Sequence, residues 1–429
     1  MDYRIFPPDE PIDARVALPV SKSMMNRALV INALTPGATP MTVSEDVADD
    51  ITVMARAIEA IRGGAPGTQT AVNVGGSGSA MRFLAAMISA TEGAEVILDG
   101  DVRSHQRPIG TLVEALRWCG ADITFMGEEG FPPLLIKGRS LRGGTVAIPA
   151  DKSSQYVSAV MMIAPLMRGG LTINLEGNQV SSPYIRLTAA MMRQAGVDVE
   201  SGGNQIIIPQ TAYAPTDFAP EADWSAAAFW YEAEALSSGS VVIEGLKRDS
   251  LQPDSAAAKI YEGLGVLTDP EEKVDGEIRL EPSPDLSPRM VLDLSDTPDI
   301  VPSLTVTCAM IGIPFEFAGV GHLRLKECDR IEALHRELLK VGVMLTTEPE
   351  GTIGWDGHRG PVNELPVFDT HGDHRMAMAL APVAIFVPGV VVRDAEVVAK
   401  SYPDFWQQLQ RAGFVIEDAS KPSKISDND

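Results

Sequence analysis

Only three of the 429 residues are cysteine, Cys119, Cys308 and Cys328, and no two stand at a metal-ligand spacing such as C-x-x-C. A disulfide framework is not expected, and the chain suits a reducing cytoplasm. Cations are scarce: 35 Lys and Arg face 58 Asp and Glu, a net charge of −23 at pH 7. A field of that sign repels phosphate backbones and anionic lipid heads, which argues against broad binding of nucleic acid or membrane surfaces. Any anionic ligand must therefore meet a local basic cluster. Long apolar runs are also missing. The longest uncharged one, Met376 to Val392, is interrupted by Pro382, Pro388 and Gly389 and is too short to span a bilayer. The start, Met1-Asp-Tyr-Arg4, has no basic segment followed by an apolar one, so no secretory signal is expected.

With 45% hydrophobic and 22% charged residues over this length, two or three globular domains are expected. One pattern recurs: a helix-like apolar period, a glycine suited to closing a helix, then a short β-branched run. Its clearest glycines are Gly120, Gly196, Gly265, Gly342 and Gly413, at intervals of 76, 69, 77 and 71 residues, with a fainter copy ending at Gly63. Six αβ units are indicated. Between them lie segments apolar on nearly every side, Tyr156–Leu166, Ser225–Trp230 and Met376–Ala381. A helix without a polar face is buried, so the sheets should lie outside the helices. Strand candidates at Glu95–Leu98, Leu171–Leu175, Gln205–Ile208 and Val241–Ile243 alternate with them, which gives an α/β class. The polar stretch from Glu417 to Asp429 reads as a frayed, flexible tail.

Several helix starts are rich in groups that suit an anion. In Leu18-Pro-Val-Ser-Lys-Ser-Met-Met-Asn-Arg-Ala28, Ser23 can cap a helix whose first N–H groups are unpaired, with Lys22 and Arg27 beside it. A plain capped helix with solvated charges accounts for the pattern equally well. Asn73-Val-Gly-Gly-Ser-Gly-Ser-Ala-Met-Arg82 is a glycine-rich turn opening a helix; it lacks the Gly-Lys-Ser/Thr of a nucleotide P-loop and the acidic partner of a dinucleotide fold. Ser153-Ser154-Gln155 and Ser181-Ser-Pro-Tyr184 open further helices. Together, such Ser-rich starts are what a multiply anionic small molecule requires.

Acid–base candidates lie in the second half. Asp293-Leu-Ser-Asp-Thr-Pro-Asp299 places carboxylates ahead of an apolar helix, where a capping or dipole role also explains them. Arg324-Leu-Lys-Glu-Cys-Asp-Arg330 is expected to open a long helix with Lys326 and Arg330 four apart on one face and Glu327 on the next. In Gly372-Asp-His-Arg-Met-Ala-Met378, His374 and Arg375 stand at the positive end of a helix dipole, a misfit that favours an anion between them. Lys400 precedes another helix start. The six histidines form no zinc or iron set, and no metal is expected.

In order along the chain, Ser21-Lys-Ser with Asn26-Arg-Ala, Ser153-Ser-Gln, Lys326-Glu-x-Asp-Arg330, Asp373-His-Arg-Met-Ala-Met378 and Lys400-Ser-x-Pro-Asp404 resemble the 5-enolpyruvylshikimate-3-phosphate synthase family of the enolpyruvyl transferase superfamily. The resemblance runs from Leu18 to Leu409. It implies a two-lobed, inside-out α/β fold of six βαβαββ-type repeats, with residues 21–223 as the first lobe and 1–20 plus 224–429 as the second. It also implies transfer of the enolpyruvyl group of phosphoenolpyruvate to the 5-hydroxyl of shikimate 3-phosphate, in the route to chorismate and the aromatic amino acids. No cofactor, nucleic acid or membrane partner is implied, and a cytoplasmic monomer is.

Carried over position by position, the resemblance assigns shikimate 3-phosphate to Lys22, Ser23, Arg27, Ser153, Ser154, Gln155, Ser181, Tyr184, Asp299 and Lys326. Phosphoenolpyruvate falls to Lys22, Gly78, Arg107, Gln155, Arg330, Arg375 and Lys400. Asp299 becomes the base at the 5-hydroxyl, and Glu327 and Lys22 the groups for proton transfer at C3. Asp223 matches a crossover residue of structural role. Departures are also visible. Gly76-Ser-Gly-Ser-Ala-Met-Arg-Phe83 stands where the family usually reads Asn-Ala-Gly-Thr-Ala-Met-Arg-Pro, His322 where many members carry Asn, and Cys328 where Thr is usual. The alternatives are enolpyruvyl transfer to a UDP-sugar, whose branch typically uses a loop cysteine, and a non-catalytic anion-binding protein of the same fold.

Overall fold

Helices that lack a polar stripe fix the architecture. In the computed structural model, which describes residues 1–44, 47–64, 68–151, 153–177, 180–269, 276–362 and 364–423, Gly78–Ala90, Ser154–Ile163, Trp224–Ser237, Val301–Ile311 and His374–Leu380 are buried almost throughout. Such helices have no face to give to water and must be covered on all sides. Strands do the covering: Gln69–Asn73, Glu95–Asp99 and Gln205–Ile208 each alternate between a buried and a more exposed face.

The chain divides into two units, Ser21–Pro220 and Met1–Val20 with Glu221–Asp429. In Ser21–Pro220, helices Lys22–Leu34, Gly78–Ala90 and Ser154–Ile163 pack on one another, with Asp49–Gly63 and Ser182–Gln194 against them. One sheet has the order Gln69–Asn73, Glu95–Asp99, Leu134–Lys137, Asp122–Phe125. Its first pair is parallel and the others antiparallel. The second, Arg142–Pro149, Arg168–Glu176, Gln205–Ile208, Glu200–Gly202, repeats that order and that mixture. Each sheet is one β-α-β-α-β-β passage of the chain.

In the other unit, helices Trp224–Ser237, Val301–Ile311 and His374–Leu380 form the packed centre. Its N-terminal residues complete two of its sheets. Asp13–Ala17 pairs parallel with Ser240–Glu244, and Tyr3–Phe6 lies between Val390–Val392 and Val415–Asp418. A three-stranded sheet, Met290–Asp293, Phe315–Ala318 and Ile353–Trp355, is the remaining one. Gly120, Gly196, Gly265, Gly342 and Gly413 all have φ between +78° and +98°, the left-handed region a side chain disfavours. Gly63 instead ends a helix without positive φ, and the faint repeat around it contributes helices Lys22–Leu34 and Asp49–Gly63 but no sheet of its own among the described residues.

Two local expectations change. Val343–Leu345 forms no strand: Val343 alone bridges to Arg359, and the next bridge, Thr346 to Gly354, lies beyond the segment. Glu417 and Asp418 are not a frayed tail: they pair with Arg4 and Tyr3, and the Ala419 N–H donates to the Asp2 carbonyl. The N-terminal strand Tyr3–Phe6 holds them at the edge of its sheet; residues 424–429 of the expected tail lie outside the described residues. No described helix is long and apolar enough to cross a membrane.

Candidate active site

Ser21, Ser77 and Ser153 occupy the N-cap positions of the three central helices of Ser21–Pro220, and none of those helices has an acidic residue in its first turn. Their initial N–H groups carry partial positive charge that the first turn leaves unanswered. Ser77 accepts from the Ala80 N–H at 3.4 Å and Ser153 from the Gln155 N–H at 3.3 Å. Ser23 is not the cap the sequence suggests. The helix begins at Lys22, two residues earlier than a Ser23 cap would give, which places Ser23 in its first turn with its hydroxyl 3.2 Å from that of Ser21.

Arg27, one turn further on, is buried. Its Nε donates to Thr188 Oγ1 at 2.7 Å, and its terminal nitrogens donate to the Ser23 carbonyl at 2.7 Å and the Ser158 hydroxyl at 3.3 Å. The guanidinium lies 5.2 Å from the Phe83 ring centre and 5.8 Å from that of Tyr184. All these partners are neutral, and burial pulls the Arg27 pKa down to about 10. A buried cation held by neutral groups is a place where an anion gains most. Lys22, half-buried, pairs with Asp50 at 2.9 Å.

The glycine-rich turn and the Arg107 loop meet. A Cβ on Gly78 would lie 2.5–2.8 Å from the Arg107 guanidinium, so only glycine lets that side chain pack there. Gln155 Nε2 donates to Ser79 Oγ at 3.2 Å, which brings the start of Ser154–Ile163 to the same turn. Ser154 is buried beside it. Ser181, also buried, takes a left-handed conformation at φ +55° ahead of helix Ser182–Gln194 and makes no side-chain cap bond. Thus Lys22, Ser23, Arg27 and Tyr184 form one group in this unit, and Gly78, Arg107 and Gln155 another.

In the other unit, Asp299 is the centre of a cage of cations. Arg330 Nη1 lies 2.9 Å from its Oδ1, Lys326 Nζ 3.7 Å from the same oxygen, and Arg375 Nη2 3.1 Å from Oδ2. Burial would push the Asp299 pKa up, but Arg375, Lys326 and Arg330 outweigh it and hold the carboxyl well below the usual carboxylate range. Arg330 also donates to Glu327 Oε2 at 2.9 Å and to Asp373 Oδ2 at 2.7 Å. The helix expected from Arg324 begins only at Arg330, because Asp329 is the better cap and accepts from the Glu332 N–H. Lys326 and Glu327 therefore lie in the preceding turn, and Lys326 reaches Asp299 from there rather than from a shared helix face.

The misfit at His374 and Arg375 is answered by the chain itself. Asp373 caps helix His374–Leu380 by accepting the Arg375 N–H at 2.9 Å, and Asp299 takes the Arg375 side chain. Lys400 ends the 3-10 turn Ala395–Lys400, half-buried. Asp223 caps helix Trp224–Ser237 through the Ser225 N–H at 2.9 Å. His322, near Lys326 and Asp299, has its pKa lowered to about 4 by burial and by the Lys326 charge, so its imidazole is neutral at pH 7. Cys328 donates its thiol to Asp373 Oδ2 at 3.6 Å, and burial pushes that thiol up, away from nucleophilic character.

Three supporting residues had no role assigned from the sequence. Arg82 bridges the Gly78 carbonyl at 3.0 Å and the Pro108 carbonyl at 3.2 Å, fixing the glycine-rich turn to the Arg107 loop. Asp373 holds Arg330; an Asp immediately ahead of an apolar helix is a cap signal that could have singled it out. Asp254 is buried, takes the Ser225 hydroxyl, and has its pKa raised to about 7 by burial and by the charge of Asp299.

A family model described as EPSP synthase (3-phosphoshikimate 1-carboxyvinyltransferase) matches residues 7–409. The chain is 41% identical over 419 residues to the 3-phosphoshikimate 1-carboxyvinyltransferase of Bacteroides fragilis (strain YCH46), covering 97% of this chain and 99% of that one. It is 36% identical to the protein of the same name from Syntrophobacter fumaroxidans, covering 93% and 97%. An EPSP synthase structure from Acinetobacter baumannii aligns with a TM-score of 0.73 at 22% identity, over 97% of this chain and all of that one, a likeness of fold.

Proposed function

The chain belongs to the EPSP synthase family, and from that premise we propose which of its residues carry the reaction. The enzyme transfers the enolpyruvyl group of phosphoenolpyruvate to the 5-hydroxyl of shikimate 3-phosphate and releases phosphate, a step toward the aromatic amino acids. Two phosphorylated acids must be brought together. At an effective dielectric of ~20, like unit charges 4 Å apart repel by about 4 kcal/mol, so converging cations are the first requirement.

Shikimate 3-phosphate falls to Lys22, Ser23, Arg27, Ser153, Ser154, Gln155, Ser181 and Tyr184, with Asp299 and Lys326 at its ring. The neutral partners of buried Arg27 support this. Phosphoenolpyruvate falls to Lys22, Gly78, Arg107, Gln155, Arg330, Arg375 and Lys400. Lys22 and Gln155 fall in both sets.

The single observation that carries the mechanism is the cation cage on Asp299. Caged, the carboxylate is ionised but a weak base. An anion that draws Arg330 and Arg375 to itself removes that hold, so the proton affinity of Asp299 rises as phosphoenolpyruvate is bound. Asp299 then takes the 5-hydroxyl proton while C3 of phosphoenolpyruvate is protonated and C2 accepts the oxygen. The tetrahedral ketal loses phosphate and a C3 proton. Glu327, fixed by Arg330, and Lys22 are the groups for the C3 transfers. A cytoplasmic monomer goes with this reading; the three cysteines are free thiols.

Phosphate release is measured with phosphoenolpyruvate and either shikimate 3-phosphate or a UDP-sugar as acceptor. Turnover with the shikimate alone is expected. Turnover with the UDP-sugar, or with neither, overturns the reading.

A further inference from the structure

Away from the cage, Glu337 forms a second polar centre that the mechanism does not use. It lies on helix Arg330–Leu339, and its carboxylate is almost wholly inaccessible, 2% exposed. Three donors converge on it: His371 Nε2 at 2.8 Å, Lys340 Nζ at 2.6 Å and the Asp369 N–H at 2.9 Å. Burial works against its charge, and these donors more than offset that, holding the carboxyl below its ordinary pKa. His371 is itself held unusually. Its φ is +53°, its N–H donates to Asp369 Oδ1 at 2.6 Å, and Gly372 follows at φ +68°. That left-handed pair, closed by the Asp373 N–H on the Thr370 carbonyl at 2.9 Å, delivers Asp373 and Arg375 to the site.

Arg330 and Glu337 are seven residues apart, two helical turns, so they share a face about 10 Å apart along the axis. Both bind the same stretch of chain, Arg330 at Asp373 and Glu337 at Asp369 and His371. One contact leaves a helix free to pivot; two fix both its slide and its rotation. We propose that Glu337 and His371 are positioning residues that set Arg330 and Arg375 on either side of Asp299, and that the charge on His371 regulates how firmly they do so. This rests on the reading that Arg330 and Arg375 hold phosphoenolpyruvate.

The groups facing His371 are Glu337 and Lys340 from the helix side and Asp369 from its own loop. The bond to Glu337 raises the His371 pKa against the opposing effect of burial. The tie is charge-assisted below the ordinary value of about 6.5 and weakens as pH rises through the raised one. The Michaelis constant for phosphoenolpyruvate should therefore climb over that interval.

The test uses the full chain with Glu337→Gln, which keeps the shape but not the charge, and His371→Gln, which keeps a donor and leaves the buried carboxylate in place. NMR titration of the His371 imidazole is expected to show a raised pKa in the parent protein and a return toward the ordinary value in Glu337→Gln. Both variants should raise the Michaelis constant for phosphoenolpyruvate about tenfold at low pH with a much smaller change in kcat, and lose its pH dependence. If Glu337→Gln does not fold, His371→Gln decides. A raised imidazole pKa together with an unaltered Michaelis constant and pH profile in His371→Gln overturns the positioning role alone. A parent protein that shows the titration but no turnover with either acceptor overturns the functional reading beneath it.

Discussion

Arg330 Nε lies 2.7 Å from Asp373 Oδ2, with the two side chains 1% and 0% exposed. Removing Asp373 takes one of three carboxylates from a buried guanidinium that keeps Asp299 and Glu327, so the cost should stay below the about 3–5 kcal/mol of a fully stranded buried charge. Asp373→Ala also removes the cap of helix His374–Leu380. We expect a large fall in denaturation midpoint for Asp373→Ala and a smaller one for Asp373→Asn, which retains a capping oxygen. Equal midpoints for both variants and the parent protein would mean that the pair contributes nothing.

Asp299→Ala separates binding from chemistry. Lys326, Arg330 and Arg375 each lose one counter-charge, though Arg330 keeps Glu327 and Asp373, so phosphoenolpyruvate affinity should hold or improve while turnover drops by roughly 10²–10⁴, the range for a lost general base. Fluorescence titration and phosphate release read the two effects independently. Near-parental turnover would remove Asp299 from the mechanism.

Arg27→Met tests the other cation cluster. Charge-assisted hydrogen bonds contribute about 1.5–3 kcal/mol, so the Michaelis constant for shikimate 3-phosphate should rise roughly 10–100-fold. Shikimate 3-phosphate should raise the melting temperature of the parent protein and raise that of the variant much less. An equal thermal shift in both would place the phosphate elsewhere.

Gly78→Ala sets a methyl against the Arg107 guanidinium, the far end of a flexible side chain, so Arg107 should move while the fold holds. A displacement of this size at a binding cation predicts a Michaelis constant for phosphoenolpyruvate about tenfold higher. Unchanged kinetics would show that Arg107 need not lie against the glycine-rich turn.

What could be read from the sequence follows from what each signal encodes. Ser154–Ile163 and His374–Leu380 are recognisable as buried because burial leaves its mark at every position of a helix, and Gly120 or Gly413 because a left-handed residue constrains one position alone. Periodicity does not reveal where a helix begins when two caps compete, so the start at Arg330 rather than Arg324 waits on the Asp329 bond to Glu332. Nor can it pair distant residues. Asp299 and Arg375 are 76 positions apart, and only the packing of Val301–Ile311 against His374–Leu380 joins them. The strand formed by Glu417 and Asp418 escaped for the same reason: its partner is at the other end of the chain.

Glu232 leads to a prediction that concerns stability rather than catalysis. It lies within helix Trp224–Ser237, wholly buried, and neither carboxyl oxygen has a hydrogen-bond partner among the described residues. Burial pushes its pKa well above the carboxylate range, so the folded protein keeps a proton that the unfolded chain releases near pH 4.3. Between those two values the unfolded state binds fewer protons, and stability must fall as pH rises, by up to about 1.4 kcal/mol per pH unit for one group. Glu232→Gln, which cannot ionise, removes this slope. Melting temperatures of the parent and the variant should nearly coincide at pH 4.5 and diverge toward pH 8, with the variant higher. A constant difference across that range would mean that Glu232 is ionised in the fold, with a counter-charge that offsets its burial.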